Sequence, residues 1–401
     1  MEHLRIALPV SVNMLAYRAP WITSIAFVGR LGATPLAAAS MASTLGNVTG
    51  ISLLVGLSSA LGTLGAQAFG AGAYDAVGIA LQRCLLVFLG TCTAVSTFWL
   101  AGVEPFLVAT GQDHEVARLA GEYMRLLTPG LWGAAVNFGL QKYLQVQGLT
   151  RPPAAASVVT AVLHVPLNYL FIYSAGLGWR GAAVATSVNQ IITPLLLLCI
   201  MNCSDLGCCS LVSSSVNTLL LPNASDASHL SSQSPEAQKA GESIDLGRKS
   251  GAGGGAGAAA AAFRASDVYL KCWPGWRREA FQLAPMLEFC RLAAGGLVMI
   301  MEWWASEIAI LMAGVADGAV GLATLAVYQT TLSTIFMFSV GYQVSAATRV
   351  GQCLGRGLPM SARRAAAVAP ALVGLVTFYW PEEPRPSCAY IVFSSQHNAC
   401  L

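Results

Sequence analysis

Long stretches without any charged residue constrain this chain more than any other feature. No Asp, Glu, Lys or Arg occurs in five windows, which are residues 31–74, 84–103, 152–179, 181–204 and 318–348. Each is long enough for the roughly 20 apolar residues with which an α-helix crosses a bilayer. Only 10% of all residues are charged, against about 25% in a typical soluble domain, which excludes a soluble fold. The sequence predicts an all-α, polytopic membrane protein.

The apolar windows and their flanks predict nine membrane spans. They lie near residues 6–28, 36–66, 82–103, 124–146, 153–176, 180–203, 286–314, 318–348 and 363–380. The segment between the sixth and seventh spans is rich in Ser, Gly and Ala, and it is predicted to be a flexible cytoplasmic loop. The predicted domains are a six-helix lobe (1–203), this loop (204–284), a partial second lobe of about three helices (285–380) and a divergent tail (381–401). No cleavable signal peptide is expected, because residues 1–28 lack a compact apolar core.

Lys and Arg concentrate in alternate loops, which predicts a cytoplasmic N-terminus. The inside set is Arg5, Arg83, Arg151, Arg248, Lys249, Arg264, Lys271, Arg277, Arg278, Arg349, Arg356, Arg363 and Arg364. The outside set is Arg30, Arg118, Arg125 and Arg180. This orientation puts the sequon at Asn223 in the cytosol, so a glycan on Asn223 would contradict it.

Several function classes find no support in the residues. A net charge of +3, spread along the chain, argues against a nucleic-acid partner. The eleven cysteines include no CxxC pair and no histidine at zinc-ligand spacing, so neither a disulfide framework nor a metal site is predicted. No catalytic triad or phosphate-binding loop is present, and a membrane-embedded hydrolase would need both a nucleophile and a base. We therefore expect no enzyme, no catalytic residue and no cofactor.

An internal repeat appears when the chain is compared with itself at an offset of 285 residues. Five residues coincide without a gap; Gly56, Thr63, Gln67, Gly70 and Gly72 fall on Gly341, Thr348, Gln352, Gly355 and Gly357. Each copy ends a long uncharged helix and begins a short turn. The repeat predicts two related lobes, with a substrate site between them near the membrane midplane.

Two carboxylates, Glu302 and Glu307, interrupt an otherwise apolar predicted helix. Each costs about 2.5–3.5 kcal/mol at membrane depth, so both are candidates for binding a proton or a cation. Their spacing places them about 140° apart around the helix, which favours different roles. Alternatively, they lie near the membrane boundary or pair with Arg291. The neighbouring Trp303 and Trp304 either stack on a planar cation or anchor the helix at the interface.

Other polar side chains in the apolar windows need internal hydrogen-bond partners. They are Asn47, Asn137, Asn168, Tyr328 and Gln329. Packing between helices is the commoner reason for such residues, and a substrate cavity is the alternative. His164 lies beside Pro166, where it either donates to a carbonyl freed by the proline or carries a proton.

The residues resemble the multidrug and toxic compound extrusion (MATE) family, particularly its eukaryotic branch, over most of residues 4–203 and 285–368. The motifs that carry the resemblance are Ala7-Leu8-Pro9, Phe27-Val28-Gly29-Arg30-Leu31-Gly32, Asn47-Val48-Thr49-Gly50, Gly65-Ala66-Gln67-Ala68-Phe69-Gly70, Lys142-Tyr143-Leu144-Gln145, His164-Val165-Pro166-Leu167-Asn168, Glu302-Trp303-Trp304 with Glu307, and Ser345-Ala346-Ala347-Thr348-Arg349-Val350-Gly351.

This resemblance implies a twelve-helix antiporter that exports organic cations, xenobiotics or metabolites, with the proton gradient as its energy source. It implies a plasma or vacuolar membrane location, and coupling through Glu302 first and Glu307 second. Gln329 stands where some animal members have a glutamate. The candidate cavity residues are Asn47, Asn137, Asn168, Trp303, Tyr328 and Gln329.

The sequence departs from the family after Trp380, where the tenth to twelfth helices have no counterpart. An alternative function is therefore a non-transporting, truncated chain that associates with a full-length transporter. Another is export of lipid-linked sugars, although only Arg18 and Lys142 are available in the spans to bind phosphate. The substrate, the membrane, the oligomeric state and the choice between proton and sodium coupling are not predicted.

Overall fold

The computed structural model describes residues 2–202 and 272–378. Of residues 2, 33, 202, 302–303, 306–335, 338 and 369–378 it describes the backbone alone. Within these limits the chain is helical and contains no strand, as the uncharged windows predicted. The predicted tail at 381–401 and most of the loop at 204–284 lie outside the described residues.

The first lobe contains six membrane-length helical segments. They are α1 (Glu2–Gly29); α2 (Ala33–Gly46) continuing through a π-helical turn (Asn47–Ile51) into α3 (Ser52–Gly70); α4 (Tyr74–Thr97) continuing through a second π turn (Phe98–Gly102) into α5 (Val103–Ala109); α6 (His114–Val146); α7 (Arg151–Tyr169) with a third π turn (Leu170–Ser174); and α8 (Trp179–Asn202). The six spans predicted for this lobe are thus all helical, although their ends shift by several residues.

Length and apolar composition suit five stretches among the described residues to crossing a membrane. They are Thr34–Gly70, Tyr74–Ala109, Arg151–Ser174, Trp179–Met201 and Leu283–Met301. Two further helices, α1 and α6, are as long but more polar. Helix α6 starts where the sequence has a good N-cap, since the Asp113 carboxylate accepts hydrogen bonds from the backbone N–H groups of Glu115 (3.0 Å) and Val116 (3.1 Å).

The arginines predicted on the outer side are mostly paired with carboxylates. Arg118 binds Glu115 and Glu122, both at 2.7 Å, and Arg180 binds Glu122 at 2.6 Å. The hydrogen bonds from Arg118 hold the pKa of the exposed Glu115 carboxyl below its ordinary value. The orientation rule counts Lys and Arg alone, so these ion pairs do not test the predicted orientation, which stays a prediction.

The second lobe begins with α9 (Leu283–Gly355) and continues with α10 (Pro359–Phe378). The sequence predicts two spans separated near residues 314–318; the backbone there is helical and contains no proline, so the two spans are joined by a bend within α9. Gly296 approaches Ser59 of α3, and Gly351 approaches Ala66 of the same helix. A straight helix would separate Gly296 and Gly351 by about 80 Å, against about 10 Å for their two partners, so α9 folds back between them. Two arms of α9 therefore pack against the first lobe.

The internal repeat is confirmed in the backbone. Helix α3 ends at Gly70 and α4 begins at Tyr74, and the residues 285 positions later, Gly355 and Pro359, end α9 and begin α10. The glycine of each turn has the same left-handed conformation, with φ of +75° at Gly72 and +72° at Gly357, which favours glycine.

The two copies of the repeat also pack against each other reciprocally. A Cβ built on Gly70 would collide with the backbone of Gln352, and a Cβ built on Gly355 would collide with the backbone of Gln67. A second pair of contacts is related by the same offset of 285 residues. Gly296 packs against Gly56, and their counterparts in the repeat, Ser11 and Gly341, pack against each other. We call this set of glycine contacts between α1 or α3 and α9 the seam. Its reciprocity shows that a pseudo-two-fold axis relates the two lobes.

The loop predicted at 204–284 is ordered at its end. Its last residues form a short 3₁₀ turn, Arg278–Phe281, and lie on α4. The physical reason is a set of polar anchors in α4, Gln82 and Arg83, whose partners in the loop could not be identified from composition.

Candidate functional site

A hydrogen-bonded network occupies the interior of the first lobe, where α1, α7 and α8 meet. The Ser24 hydroxyl lies 2.9 Å from His164 Nε2, 3.4 Å from Asn168 Oδ1 and 3.1 Å from Thr186 Oγ1. All four side chains are buried. His164 and Asn168 are four residues apart and share a helix face, and Asn168 Nδ2 donates to the His164 carbonyl at 3.0 Å. One serine on α1 thus joins three helices.

A second set of polar contacts links α1 to α6, α7 and α8. Asn13 Nδ2 donates to Gln141 Oε1 at 2.9 Å, and Ser157 Oγ donates to Asn13 Oδ1 at 2.6 Å. Gln190 Nε2 donates to the Tyr17 hydroxyl at 3.2 Å. Because lipid offers no hydrogen bonds, such contacts hold the helices in register while keeping their polar groups away from the hydrocarbon.

Some buried amides in this lobe have no hydrogen-bond partner among the described residues. Asn137 lacks a partner for both side-chain atoms, and Gln141 Nε2 and Gln145 Oε1 lack one each. These three residues recur at intervals of four and therefore share one face of α6. Asn189 Oδ1 is likewise unpartnered. Unpaired buried polar atoms are rare and are expensive in free energy, so a row of them indicates a place for water or a polar ligand.

A small internal cavity adjoins the Ser24 network. Its space of about 10 Å³ is near the minimum for one water molecule, so in this conformation it has no room for an organic substrate. The cavity is lined by Trp21, Ile51, Trp99, Leu127, Gly130, Leu131, Thr186, Ser187 and Gln190.

Two π-helical turns meet beside this cavity. Trp99, in the second turn, donates its indole N–H to Thr49 Oγ1 of the first turn at 2.9 Å. Gly50 gives the indole its space, since a Cβ built there would lie 2.6 Å from the ring. Single π turns inside helices often occur at functional sites, and this pair shapes the wall of the first lobe that faces the Ser24 network.

The sequence-predicted cavity residues of the first lobe have three different environments. Asn168 is buried and hydrogen-bonded, Asn137 is buried and unpartnered, and Asn47 is half-buried at the start of the first π turn. His164 does not donate to a carbonyl freed by Pro166; its Nε2 atom contacts Ser24 of α1. Asn168 and His164 therefore both join helices, and the cavity role of Asn168 stays a prediction.

The predicted coupling residues belong to the first arm of α9 and its continuation. The side chains of Glu302, Glu307, Trp303, Tyr328 and Gln329 lie outside the described residues, so their roles remain predictions. The neighbouring Trp304 is half-buried, and its Nε1 atom has no partner among the described residues.

The polar residues that complete the network could not be identified from the sequence. The sequence-based prediction does not include five of them: Ser24, Thr186, Asn13, Ser157 and Gln190. A signal existed for α1, because Asn13, Tyr17 and Ser24 fall on nearby faces of one helix. Serine and threonine are nevertheless so common in membrane helices that the sequence alone does not distinguish these members. Among the side chains that the structure describes, no cluster of three or more His, Cys, Asp or Glu residues could hold a metal.

Comparisons with known proteins agree on one family. The family model described as MatE matches residues 9–170 and 296–379, more than half of the chain. Protein DETOXIFICATION 17 of Arabidopsis thaliana is 30% identical over 358 residues, which is 89% of this chain and 61% of that protein. Multidrug and toxin extrusion protein 1 of Xenopus tropicalis is 29% identical over 91% of this chain and 52% of its own length. The chain therefore spans between half and two thirds of these curated relatives.

Solved structures give the same result. The crystal structure of the eukaryotic MATE transporter AtDTX14 superimposes with a TM-score of 0.73 at 25% identity, covering 98% of this chain and 77% of that one. A multidrug resistance MATE family transporter in an outward-facing conformation has the same fold, with a TM-score of 0.66 at 18% identity over 98% of this chain and 73% of that one. The chain is an integral, multi-pass membrane protein, and it belongs to the MatE family, the multidrug and toxic compound extrusion family that its motifs resemble.

Proposed function

We propose that this chain acts in a secondary active transporter that exports small organic cations, xenobiotics or metabolites in exchange for protons. The observation that carries the proposal is the reciprocal seam, because two lobes related by a pseudo-two-fold axis are the usual framework for alternating access. Relatives described as detoxification and as multidrug and toxin extrusion proteins support this class of cargo. The plasma membrane and the vacuolar membrane both suit the proposal.

The described contacts between the lobes favour a conformation closed on the predicted cytoplasmic side. His3 and Ser345 exchange hydrogen bonds there, with Ser345 Oγ donating to the His3 carbonyl at 3.0 Å. Gln352 Nε2 donates to the Val146 carbonyl at 2.8 Å. Both contacts lie at helix ends on the same side as the N-terminus. Transport in this proposal requires them to break when the cavity opens to the cytosol.

Glu302 is the proposed proton carrier, and Glu307 the second coupling residue. Gly296 packs on Gly56 and Ser59 of α3, and Glu302 follows about 9 Å further along the same arm of α9. A carboxylate at this depth is costly when charged, so protonation is favoured while the site is dry and release is favoured once it is wet. This cycle would couple a proton to movement of the lobes.

The first lobe would supply the neutral, polar part of the substrate path. Its unpartnered amides on α6, with Asn137 foremost, offer donors and acceptors that a polar ligand or water could satisfy. Asn47, in the first π turn, and Asn168, on α7, are the other proposed cavity residues of this lobe. Trp303, Tyr328 and Gln329 are the proposed partners on the second lobe.

The test is efflux of a fluorescent organic cation from proteoliposomes that contain the 401-residue chain, driven by an imposed pH gradient. We expect Glu302→Gln to abolish proton-driven efflux, and Glu307→Gln to reduce it. Glu115→Gln is the matched control, because Glu115 is an exposed carboxylate outside the spans, and it should keep full activity.

Full efflux by Glu302→Gln would remove Glu302 from the coupling role. If the wild-type chain folds but moves no cation under any gradient, the exporter proposal fails for this chain. Co-purification with a full-length relative would then test the alternative, in which the chain associates with a complete transporter.

A further inference from the structure

The segment that leads into the second lobe, residues 272–282, is fastened to the first lobe, and we call it the strap. The side-chain amide of Gln82 bonds the backbone of the strap at two points. Its Nε2 atom donates to the Gly275 carbonyl at 2.7 Å, and its Oε1 atom accepts from the Arg277 N–H at 3.0 Å. Arg83 Nη2 donates to the Glu279 carbonyl at 3.0 Å. Two consecutive residues of α4 therefore fix three points of the strap.

Close packing completes the docking. Gly78 of α4 lies against the Cys272 carbonyl and the Pro274 ring, where any larger residue would collide with the strap. Within the strap, Cys272 and Ala280 are fully buried. The strap is thus packed into the surface of the first lobe. Its backbone contacts with α4 fix the position of the side chains that face outward.

The outward side of the strap is aromatic and basic. Trp276 is 63% exposed, Phe281 62% and the adjoining Leu283 72%. Arg277 and Arg278 are exposed between these aromatic side chains. Large apolar side chains rimmed by charge indicate an interaction surface rather than ordinary solvent exposure.

The level of the strap relative to the bilayer follows from α4. Arg83 is the last charged residue before the uncharged window 84–103, so the hydrocarbon core begins beyond it. The strap contacts α4 from Gly78 to Arg83, and it ends where the apolar stretch Leu283–Met301 starts. It therefore lies at the depth of the lipid headgroups, where Trp side chains are enriched in membrane proteins.

We propose that the strap binds anionic phospholipid headgroups of the cytoplasmic leaflet. Arg277 and Arg278 supply the charge and the hydrogen-bond donors for phosphate and carboxylate groups, and Trp276 and Phe281 lie among the glycerol and upper acyl groups. The strap's own carboxylate, Glu279, lines an open recess beside α4 with Tyr74 and Asp75, and neither arginine borders that recess. The proposal needs only a membrane-embedded chain and does not depend on the transported substrate.

The experiment compares the full chain in nanodiscs of neutral phosphatidylcholine with the chain in discs that also contain about one third phosphatidylserine. The readout is backbone hydrogen exchange in residues 272–283. We expect phosphatidylserine to slow this exchange by about tenfold, and high salt to reverse the effect. The double variant R277Q/R278Q should lose the phosphatidylserine effect, whereas R363Q/R364Q, which changes two exposed arginines of α10, should retain it.

Two further measurements keep the outcome decisive. Alkylation of Cys272, located by peptide mass spectrometry, reports whether the strap is still docked in each variant, because this thiol of the strap is buried in the docked state. Soluble glycerophosphoserine added to neutral discs should not slow exchange, since binding to a lipid surface needs the aromatic side chains as well. Equal exchange in the two kinds of disc, or an undiminished lipid effect in docked R277Q/R278Q, would overturn the proposal.

Discussion

Ala66 and Gly351 face each other across the seam, and they are equivalent positions of the internal repeat. A Cβ built on Gly351 would lie 2.6 Å from the Ala66 methyl group. A residue that meets its own counterpart lies close to the axis relating the two copies. The seam is therefore centred on this pair, and its other contacts occur as reciprocal pairs on either side.

Two neighbouring glycines of α9 provide a direct test of the seam. Gly296→Ala would force a methyl group into Ser59 and the Gly56 carbonyl, whereas Gly295→Ala has open space around it. We expect Gly296→Ala to destabilise the protein by about 1–3 kcal/mol. Gly295→Ala should be neutral or stabilising by up to about 1 kcal/mol, because alanine is the better helix former. Thermal unfolding in detergent measures both, and equal melting temperatures would contradict the seam.

Removing the hydroxyl of Ser24 should weaken the first lobe. Ser24→Ala leaves His164 Nε2 and Thr186 Oγ1 without their shared partner in a buried site. The expected loss is about 1–3 kcal/mol of unfolding free energy. Thr93→Ala is the control, since the exposed Thr93 hydroxyl bonds only the Leu89 carbonyl of its own helix. A loss no greater than that of the control would mean that the network contributes little.

Two of the buried asparagines, Asn137 and Asn168, should respond in opposite ways to the same change. Asn137→Leu removes an amide without partners, so the stability should stay equal or increase, while transport falls if this amide contacts the substrate. Asn168→Leu removes an amide that bonds Ser24 and the His164 carbonyl, and it should cost about 1–3 kcal/mol. Unfolding and cation efflux are measured on both variants. A marked loss of stability in Asn137→Leu would show that this amide has partners after all.

Alkylation of Cys272 should report undocking of the strap and should depend on pH. Burial, and secondly the charge of Asp75, raise the pKa of this thiol from 9.0 to about 11. Below pH 9 the thiol is neutral whether or not the strap is docked, so docking is unaffected. Between about pH 9 and 11 the undocked thiol ionises first, and docking weakens as the pH rises.

We therefore expect the buried Cys272 to resist a maleimide reagent at pH 7–8 while the strap is docked. Gln82→Ala, which removes two anchors of the strap, should increase the rate at Cys272 by at least about tenfold. At each pH the rate is normalised to that of Cys272 in the denatured protein, because thiolate content alone increases with pH. Identical rates in the wild type and Gln82→Ala would mean that Gln82 does not hold the strap.

The helices and the lobe arrangement could be predicted because their causes are local in sequence. Uncharged windows determine where helices cross the bilayer. The turn after each copy of the repeated helix needs a residue with positive φ, and both copies have glycine there, Gly72 and Gly357. The three π turns could not be predicted, since nothing in sequences such as Asn47–Ile51 marks the change in hydrogen-bond pattern.

The candidate site was predicted only in part. Asn137 and Asn168 stood out as amides in apolar windows, but whether an amide is satisfied depends on partners as distant as Ser24, about 140 residues away. The docked strap was missed for the same reason, because Gln82 and Gly275 lie far apart in sequence. Composition can predict a loop, but it cannot identify which loop carbonyls will accept hydrogen bonds from side chains of a distant helix.

The pairing of Ala66 with Gly351 has the geometry of a symmetric homodimer, in which one surface patch meets an identical patch across a two-fold axis. Here the two patches are covalently joined, so an interface of the isologous kind is enclosed within a single chain. Any change that affects both copies of the motif alters the fit twice, once on each side of the axis. Each lobe also carries a surface that is complementary to the other copy of its own motif.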